Sequence, residues 1–332
     1  MSAPESSSSR VPYDLRPRKQ VERRMMAHVF QFLAEAGFPI STYRYAGFGA
    51  FFFVDFILFR RILGISDMVS IERDLDYKNR VMFNRPFKDI DVKFQTSSEY
   101  ISQINKDKKY ILWLDYDGPI AKDDIDDLES AASNLSVGSV LIVTFDVDFD
   151  KVKDSKIREA LPGKRSQEWF NRFQEQCGDF FQATWDISDF RASRVNKRTL
   201  EIAESAILSG LTMRKGISFE PVFNFIYADG HEMLTFGGII SSKEEKRKLG
   251  MVGWEELPFV RRKLDMDPFR IEVPVLTRKE RLYIDSCMPC EPDWVPDPKD
   301  FEIKAEAIAA YREVYRYCPL YLIFRTIRNR FL

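Results

Sequence analysis

Between residues 42 and 240 the chain repeats one pattern: a short, nearly all-apolar run, a polar tip, then a stretch of helical periodicity. Runs without a polar face cannot form the wet side of a sheet, so they belong to strands covered on both faces. Strand-like runs fall at 42–46, 68–71, 92–94, 110–114 and 139–145, and helical segments between them at 51–63, 77–83, 98–104 and 123–132. Strands that alternate with helices in this way pair in parallel. Two further helices are expected at 166–177 and 199–208, after which the period changes to that of a strand over 218–228 and 232–240. Asp229 and Gly230 between those two runs suit a tight hairpin turn. The expected fold is therefore α/β and Rossmann-like: a seven-stranded sheet, five strands parallel and the last two a hairpin, flanked by helices.

The flanks read differently. Residues 1–15, rich in Ser and Pro, hold too little apolar surface to offset the entropy of ordering and read as a disordered tail. Arg10, Arg16, Arg18, Lys19, Arg23 and Arg24 lead into an amphipathic helix with Val21, Met25, Val29, Phe32, Leu33 and Ala36 at helical spacing, stopped by Gly37 and Pro39. This basic strip reads first as a solvated helix face and second as a phosphate contact. His28, beside the apolar stripe, reads as a packing residue. The charged run after residue 240 marks the end of the main domain, 16–240. A mixed, mainly helical extension occupies 241–332, with a capping box at Thr277 and Glu280 and a helix at 301–317.

Charge and motif content narrow the function. With 50 Lys+Arg against 51 Asp+Glu the net charge is -1, so a nucleic-acid partner is not favoured. The longest apolar run, 51–59, is broken by Asp55 and is too short to span a bilayer. The four cysteines and the lack of an apolar run near the N-terminus fit a reducing cytoplasmic compartment. Cys287 and Cys290 have the spacing of half a zinc site, but with only His28 and His231 in the chain nothing completes it, and no metal is expected. Serine-hydrolase, P-loop, zincin and kinase motifs are absent.

Four strand tips carry the candidate chemistry. In RYAGFGAFFFVDF, Gly47, Phe48 and Gly49 stand between a strand and a helix, where glycines permit a tight turn and a close ligand, and the helix start offers unpaired N–H groups. The next strand ends in Glu72, placed as an acid that accepts hydrogen bonds from a ribose diol. Ser97, Ser98 and Glu99 lie at a strand-to-helix junction, as helix caps or as contacts to an adenine. Asp115, Tyr116 and Asp117 end the fourth strand, and two carboxylates so close call for a shared proton or cation, which makes them the catalytic candidates. Asp146, Asp148 and Asp150 form either an acidic mouth or the wet face of an edge strand.

These residues resemble those of class I S-adenosylmethionine-dependent methyltransferases. The order of elements over 44–240 is similar, and Gly47 and Gly49 match the family's first motif, although Tyr45 stands where that motif has an acid and Phe51 where it has a third glycine. The phrase WLDYDGPI also resembles one found in O-methyltransferase-like proteins. The resemblance implies S-adenosyl-L-methionine as cofactor, Glu72 on its ribose, Ser97–Glu99 by its adenine, and Asp115–Asp117 beside the transferred methyl. It implies transfer to an oxygen or nitrogen of a small-molecule or protein acceptor that the residues do not identify. Two other readings stay open: an inactive metabolite-binding or assembly module, with a protein partner or a second copy of the chain, and a nucleic-acid methyltransferase.

Overall fold

The computed structural model describes residues 16–263 and 265–319. The expected tail at 1–15 and the end of the C-terminal extension from 320 lie outside the described residues. Helix α1 (Pro17–Glu35) precedes a run of strands and helices: β1 (Arg44–Gly47), α2 (Val54–Leu63), β2 (Met68–Glu72), α3 (Lys78–Asn84), β3 (Asp91–Phe94), α4 (Ser97–Ser102), β4 (Tyr110–Asp115), α5 (Lys122–Asn134) and β5 (Val140–Asp146). Then come α6 (Ser155–Glu159), α7 (Arg165–Gln176), α8 (Val195–Leu211), β6 (Ser218–Ala228) and β7 (Glu232–Ser241). The chain continues through α9 (Lys243–Leu249), β8 (Phe269–Arg270), α10 (Arg278–Ser286) and α11 (Ala305–Val314).

The sheet order is β3-β2-β1-β4-β5-β7-β6-β8. Strands β1 to β5 are mutually parallel, and β7 runs antiparallel to both β5 and β6. The sheet has eight strands, not the expected seven. The additional strand, β8, pairs through Phe269 and Arg270 alone, which is too short a run to show a period of two. The chain leaves β1 in opposite directions toward β2 and β4, so the carboxyl ends of β1 and β4 form the switch point where open α/β sheets hold ligands.

Alternate residues of each strand feed two apolar clusters. Ile111, Trp113, Val140 and Ile142 face α1, α2 and the C-terminal residues, whereas Leu112, Leu114, Leu141 and Val143 face α5, α7 and α8. Three further expectations are corrected. Strand β5 is buried along its whole length between β4 and β7, so its acidic end is not an edge strand with a wet face. The helix expected at 301–317 is α11, which begins only at Ala305. The basic strip on α1 is not a solvated face, because Lys19 and Arg23 are buried. No helix among the described residues is long and apolar enough to cross a membrane.

Candidate functional site at the carboxyl edge of the sheet

The loop between β1 and α2 turns on unexpected residues. Ala50 (φ 48°) and Phe53 (φ 46°) adopt the left-handed conformation, while Gly47 and Gly49 do not. The glycines are needed for proximity: a Cβ on Gly49 would lie 2.5 Å from Ser70 Oγ and 2.6 Å from the Phe53 ring, and one on Gly47 would lie 2.8 Å from the Tyr45 hydroxyl. Left-handed non-glycine residues cost about 1–3 kcal/mol each and need to be held. The tip of β2 holds this loop, with Gly49 N donating to Ser70 Oγ (3.0 Å) and Ala50 N to Glu72 Oε1 (3.0 Å). Ser70 Oγ also donates to Glu72 Oε1, at 2.6 Å. Both bonds to the carboxylate end on Oε1. Burial pushes the Glu72 carboxyl above its ordinary range, and its partners are neutral N–H and O–H donors rather than a cation. A half-buried carboxylate of this kind, anchored by one oxygen, fits the hydroxyls of a ribose.

The aromatic residues of the loop have separate places. Phe51 is buried, packs edge-on against Tyr77 and carries the Arg80 guanidinium over its ring at 4.0 Å. Phe48 meets Tyr116 at 5.7 Å, on the opposite side of the sheet from α1. Tyr45, standing where the resembled motif has an acid, is fully buried and donates its hydroxyl to Asp55 at the start of α2. Burial raises both the Tyr45 and the Asp55 pKa, and the Arg23 guanidinium nearby opposes the rise in each.

At the end of β4 the three catalytic candidates separate: Asp115 and Tyr116 leave toward opposite faces, as strand alternation requires, and Asp117 lies past the end of the strand. Asp115 faces α1 and accepts a hydrogen bond from Lys19 Nζ at 2.8 Å, with 24% of its side chain exposed. Tyr116 faces the other way, donating to Asp127 Oδ2 (2.6 Å) and stacking on Phe145. Asp117 lies outermost, paired with Lys153 Nζ at 2.5 Å. Among the described residues the two carboxylates pair with different lysines, Lys19 and Lys153.

Lys19 joins Asp115 to a buried polar chain across the sheet. Its ammonium reaches Tyr227 OH (2.9 Å) and Glu22 Oε2 (2.9 Å) and lies 4.4 Å from the centre of the Trp113 ring. Thr235 Oγ1 donates to Glu22 Oε1, Thr144 Oγ1 lies 2.9 Å from Thr235 Oγ1, and Trp113 Nε1 donates to Thr144 Oγ1 at 3.0 Å. Burial pulls the Lys19 pKa down, but the Asp115 and Glu22 carboxylates outweigh it and hold the ammonium well above its ordinary value. Burial pushes Glu22 up, against the pull of Lys19. Arg18 NH2 pairs with Glu272, and the Arg18 and Lys19 backbone N–H groups donate to Asp229 in the β6–β7 turn. The basic strip thus spends charge on this chain's own acids.

The Ser97–Glu99 segment divides. Thr96 Oγ1 caps α4 by accepting from Glu99 N, and the Glu99 side chain returns a bond to Thr96 N, so Glu99 serves the helix. Ser97 Oγ lies 3.5 Å from the Tyr116 hydroxyl, whereas Ser98 lines a groove with Asp123, Asp126 and Asp127. Beyond β5, Asp148 accepts from the backbone N–H groups of Asp150, Lys151 and Glu232, and Asp150 pairs with Arg165. Asp146 is bonded to His231. Gly49 and Glu72 meet through the β1 loop, Gly47 and Asp115 stand on the adjacent strands β1 and β4, and the Glu99 side chain is used in its own helix cap. Lys19, Glu22, Tyr227, Thr235 and His231 were not anticipated as site residues. The signal for the first two was present, since Lys19, Glu22, Met26, Phe30 and Leu33 follow helical spacing with two charges inside the stripe.

A family model described as "Putative O-methyltransferase" matches residues 11–326. The chain belongs to that family. Several solved structures are similar to the chain at low identity. An O-methyltransferase from Bacillus cereus in complex with SAH is 13% identical, with 71% of this chain and 92% of that one covered and a TM-score of 0.38. A "putative O-methyltransferase" from Klebsiella pneumoniae is 12% identical, with 70% and 93% covered and a TM-score of 0.36. Trm1 from Pyrococcus horikoshii, with S-adenosyl-L-methionine, is 11% identical, with 70% and 58% covered and a TM-score of 0.42. No curated protein sequence matches this O-methyltransferase family member.

Proposed function

We propose that the chain transfers a methyl group from S-adenosyl-L-methionine to an oxygen or nitrogen of an acceptor held at the carboxyl edge of the sheet. The observation that carries this reading is the joining of the β1 loop to the tip of β2, Ala50 N to Glu72 Oε1 at 3.0 Å, beside the β1/β4 switch point. Glu72 holds the ribose through Oε2, its other oxygen being committed to the loop. Tyr116 and Ser97 line the adenine side. Asp115, held by Lys19, faces the reacting end and orients the acceptor. When bound, the cofactor supplies an electrophilic methyl, and the chain's contribution is to position the two reactants and exclude water between them. Family membership supports methyl transfer as the reaction class.

Titration calorimetry with S-adenosylhomocysteine tests the reading. Saturable binding is expected, and Glu72→Ala should weaken it at least about tenfold, near 1.4 kcal/mol. A wild-type chain that binds no adenosyl compound would remove the cofactor from the reading, and unchanged affinity in Glu72→Ala would remove Glu72 from the site.

A further inference from the structure

Only two histidines occur in the chain, and one of them stands at the carboxyl edge of the sheet. His231 lies in the turn between β6 and β7. Its Nδ1 is 3.0 Å from Oδ2 of Asp146, the last residue of β5; the imidazole side chain is 38% exposed and the carboxylate only 1%. Asp148 N donates to the other Asp146 oxygen at 2.9 Å, which fixes the carboxylate from behind. The turn itself is pinned on two sides. Asp229 accepts the first backbone N–H groups of α1, and Val147 N donates to Glu232 O at 2.8 Å.

The sheet register puts this pair on the same face as Asp115. Asp115 is level with Thr144 in the parallel β4–β5 ladder, and Asp146 is two residues beyond Thr144 on the same face. Burial raises the Asp146 pKa, opposed by the Asp148 N–H and the His231 ring; ionised, the carboxylate only accepts, so a neutral ring facing it carries its proton on Nδ1 and leaves the Nε2 lone pair free. A half-exposed imidazole oriented by a buried acid, at the edge where the acceptor is held, is equipped to remove a proton.

We infer that His231 is the general base for acceptors whose nucleophile is a hydroxyl, with Asp146 as its positioning residue. This rests on the methyl-transfer reading above. The acceptor O–H proton passes to His231 Nε2 and the oxygen pair forms the new O–C bond. The methyl–sulfur bond breaks with its electron pair remaining on sulfur, and the Asp146 carboxylate balances the imidazolium. Asp115 then orients the acceptor and is not required to take its proton.

Two measurements test the assignment. Nitrogen-15 NMR of the histidine rings in the full chain, with His28→Gln used to assign the signals, should find neutral His231 protonated on Nδ1. Asp146→Asn should mix or reverse the tautomers, and a wild-type ring protonated on Nε2 overturns the inference. The second measurement follows label from methyl-tritiated S-adenosylmethionine into a cellular metabolite extract, alongside calorimetry with S-adenosylhomocysteine. His231→Gln should lower label transfer about 100-fold and Asp146→Asn about tenfold, with S-adenosylhomocysteine affinity unchanged in both. Full transfer by His231→Gln, or loss of affinity in parallel with transfer, overturns the base while leaving the cofactor reading intact. A wild-type chain that binds the product but transfers no label overturns methyl transfer and the base together, whereas absence of binding strikes the cofactor site itself.

Discussion

A lysine whose side chain is 3% exposed survives in the interior of this protein because three oxygens surround its ammonium. Removing such a charge leaves its partners buried and uncompensated, at a cost of about 3–5 kcal/mol, whereas replacing a whole ion pair by apolar side chains is often neutral. Lys19→Met should therefore lower unfolding free energy by about that amount in urea titrations. The double variant Lys19→Met/Glu22→Leu should recover most of the loss, because it also removes the more deeply buried of the two carboxylates. Equal destabilisation in both variants would mean that packing at α1, not charge balance, is what matters there. The same residue shows the limit of reading chemistry from sequence. Its charge made the helix face look solvated, and only the register of β4, β6 and β7 beneath α1 turns it into the counter-ion of Asp115. Gly49 is an instance in the other direction. A glycine was required at that position, but for the closeness of Ser70 and Phe53 and not for a turn.

At the scale of elements, the parallel strands and the hairpin were legible because a strand buried on both faces must be apolar throughout, and the ends of β2, β4 and β6 fall within a residue of their expected positions. Site residues were less legible because a strand tip sends neighbours to opposite faces. Asp115, Tyr116 and Asp117 are contiguous in sequence, yet they serve α1, α5 and the solvent-facing Lys153. Helix α5 supplies a prediction of its own. Asp124, in the first turn, accepts from Ala121 N at 2.9 Å, but burial pushes its carboxyl up from 3.8 to about 7, aided by Asp127 and Asp123. A carboxyl that binds its proton more tightly when folded favours the native state below the unfolded pKa, and that stabilisation disappears as pH rises through the folded one. Asp124→Asn, which keeps an acceptor for Ala121, should match the wild type near pH 4. It should be more stable by ~1 kcal/mol near pH 7, after allowing for the solvent that reaches a half-buried carboxyl. Parallel stability–pH curves for the two proteins would remove the proton linkage from this helix.

For the whole molecule, the question is whether residues after 241 form an extension or part of the fold. Leu249, Phe259, Ile271, Ile284, Ile308 and Tyr311 belong to the same apolar cluster as Met26 and Phe30 of α1 and Phe223 of β6. Phe259 touches both Phe225 of β6 and Tyr317, and the Tyr317 hydroxyl lies 2.9 Å from His28 Nδ1 on α1. β8 and the residues around it also cover part of the outer edge of β6: Phe269 and Arg270 pair with Phe225 and Ile226, Ile271 N donates to Ile226 O, and Arg261 N, ahead of β8, donates to Val222 O. A chain ending at Ser241 would leave that edge unpaired and the aromatic face of β6 in water, the arrangement that invites strand addition between molecules. The truncated chain should therefore aggregate on size-exclusion chromatography and lack a cooperative thermal transition. The full chain should unfold with coincident far-ultraviolet dichroism and tryptophan fluorescence, since Trp113 of β4 and Trp254 after α9 report on one core. A soluble, cooperatively folding fragment that still binds S-adenosylhomocysteine would make the C-terminal part a separable module. Its loss together with the fold means that α1, which carries Lys19 to Asp115, is held at the sheet edge from both ends of the sequence.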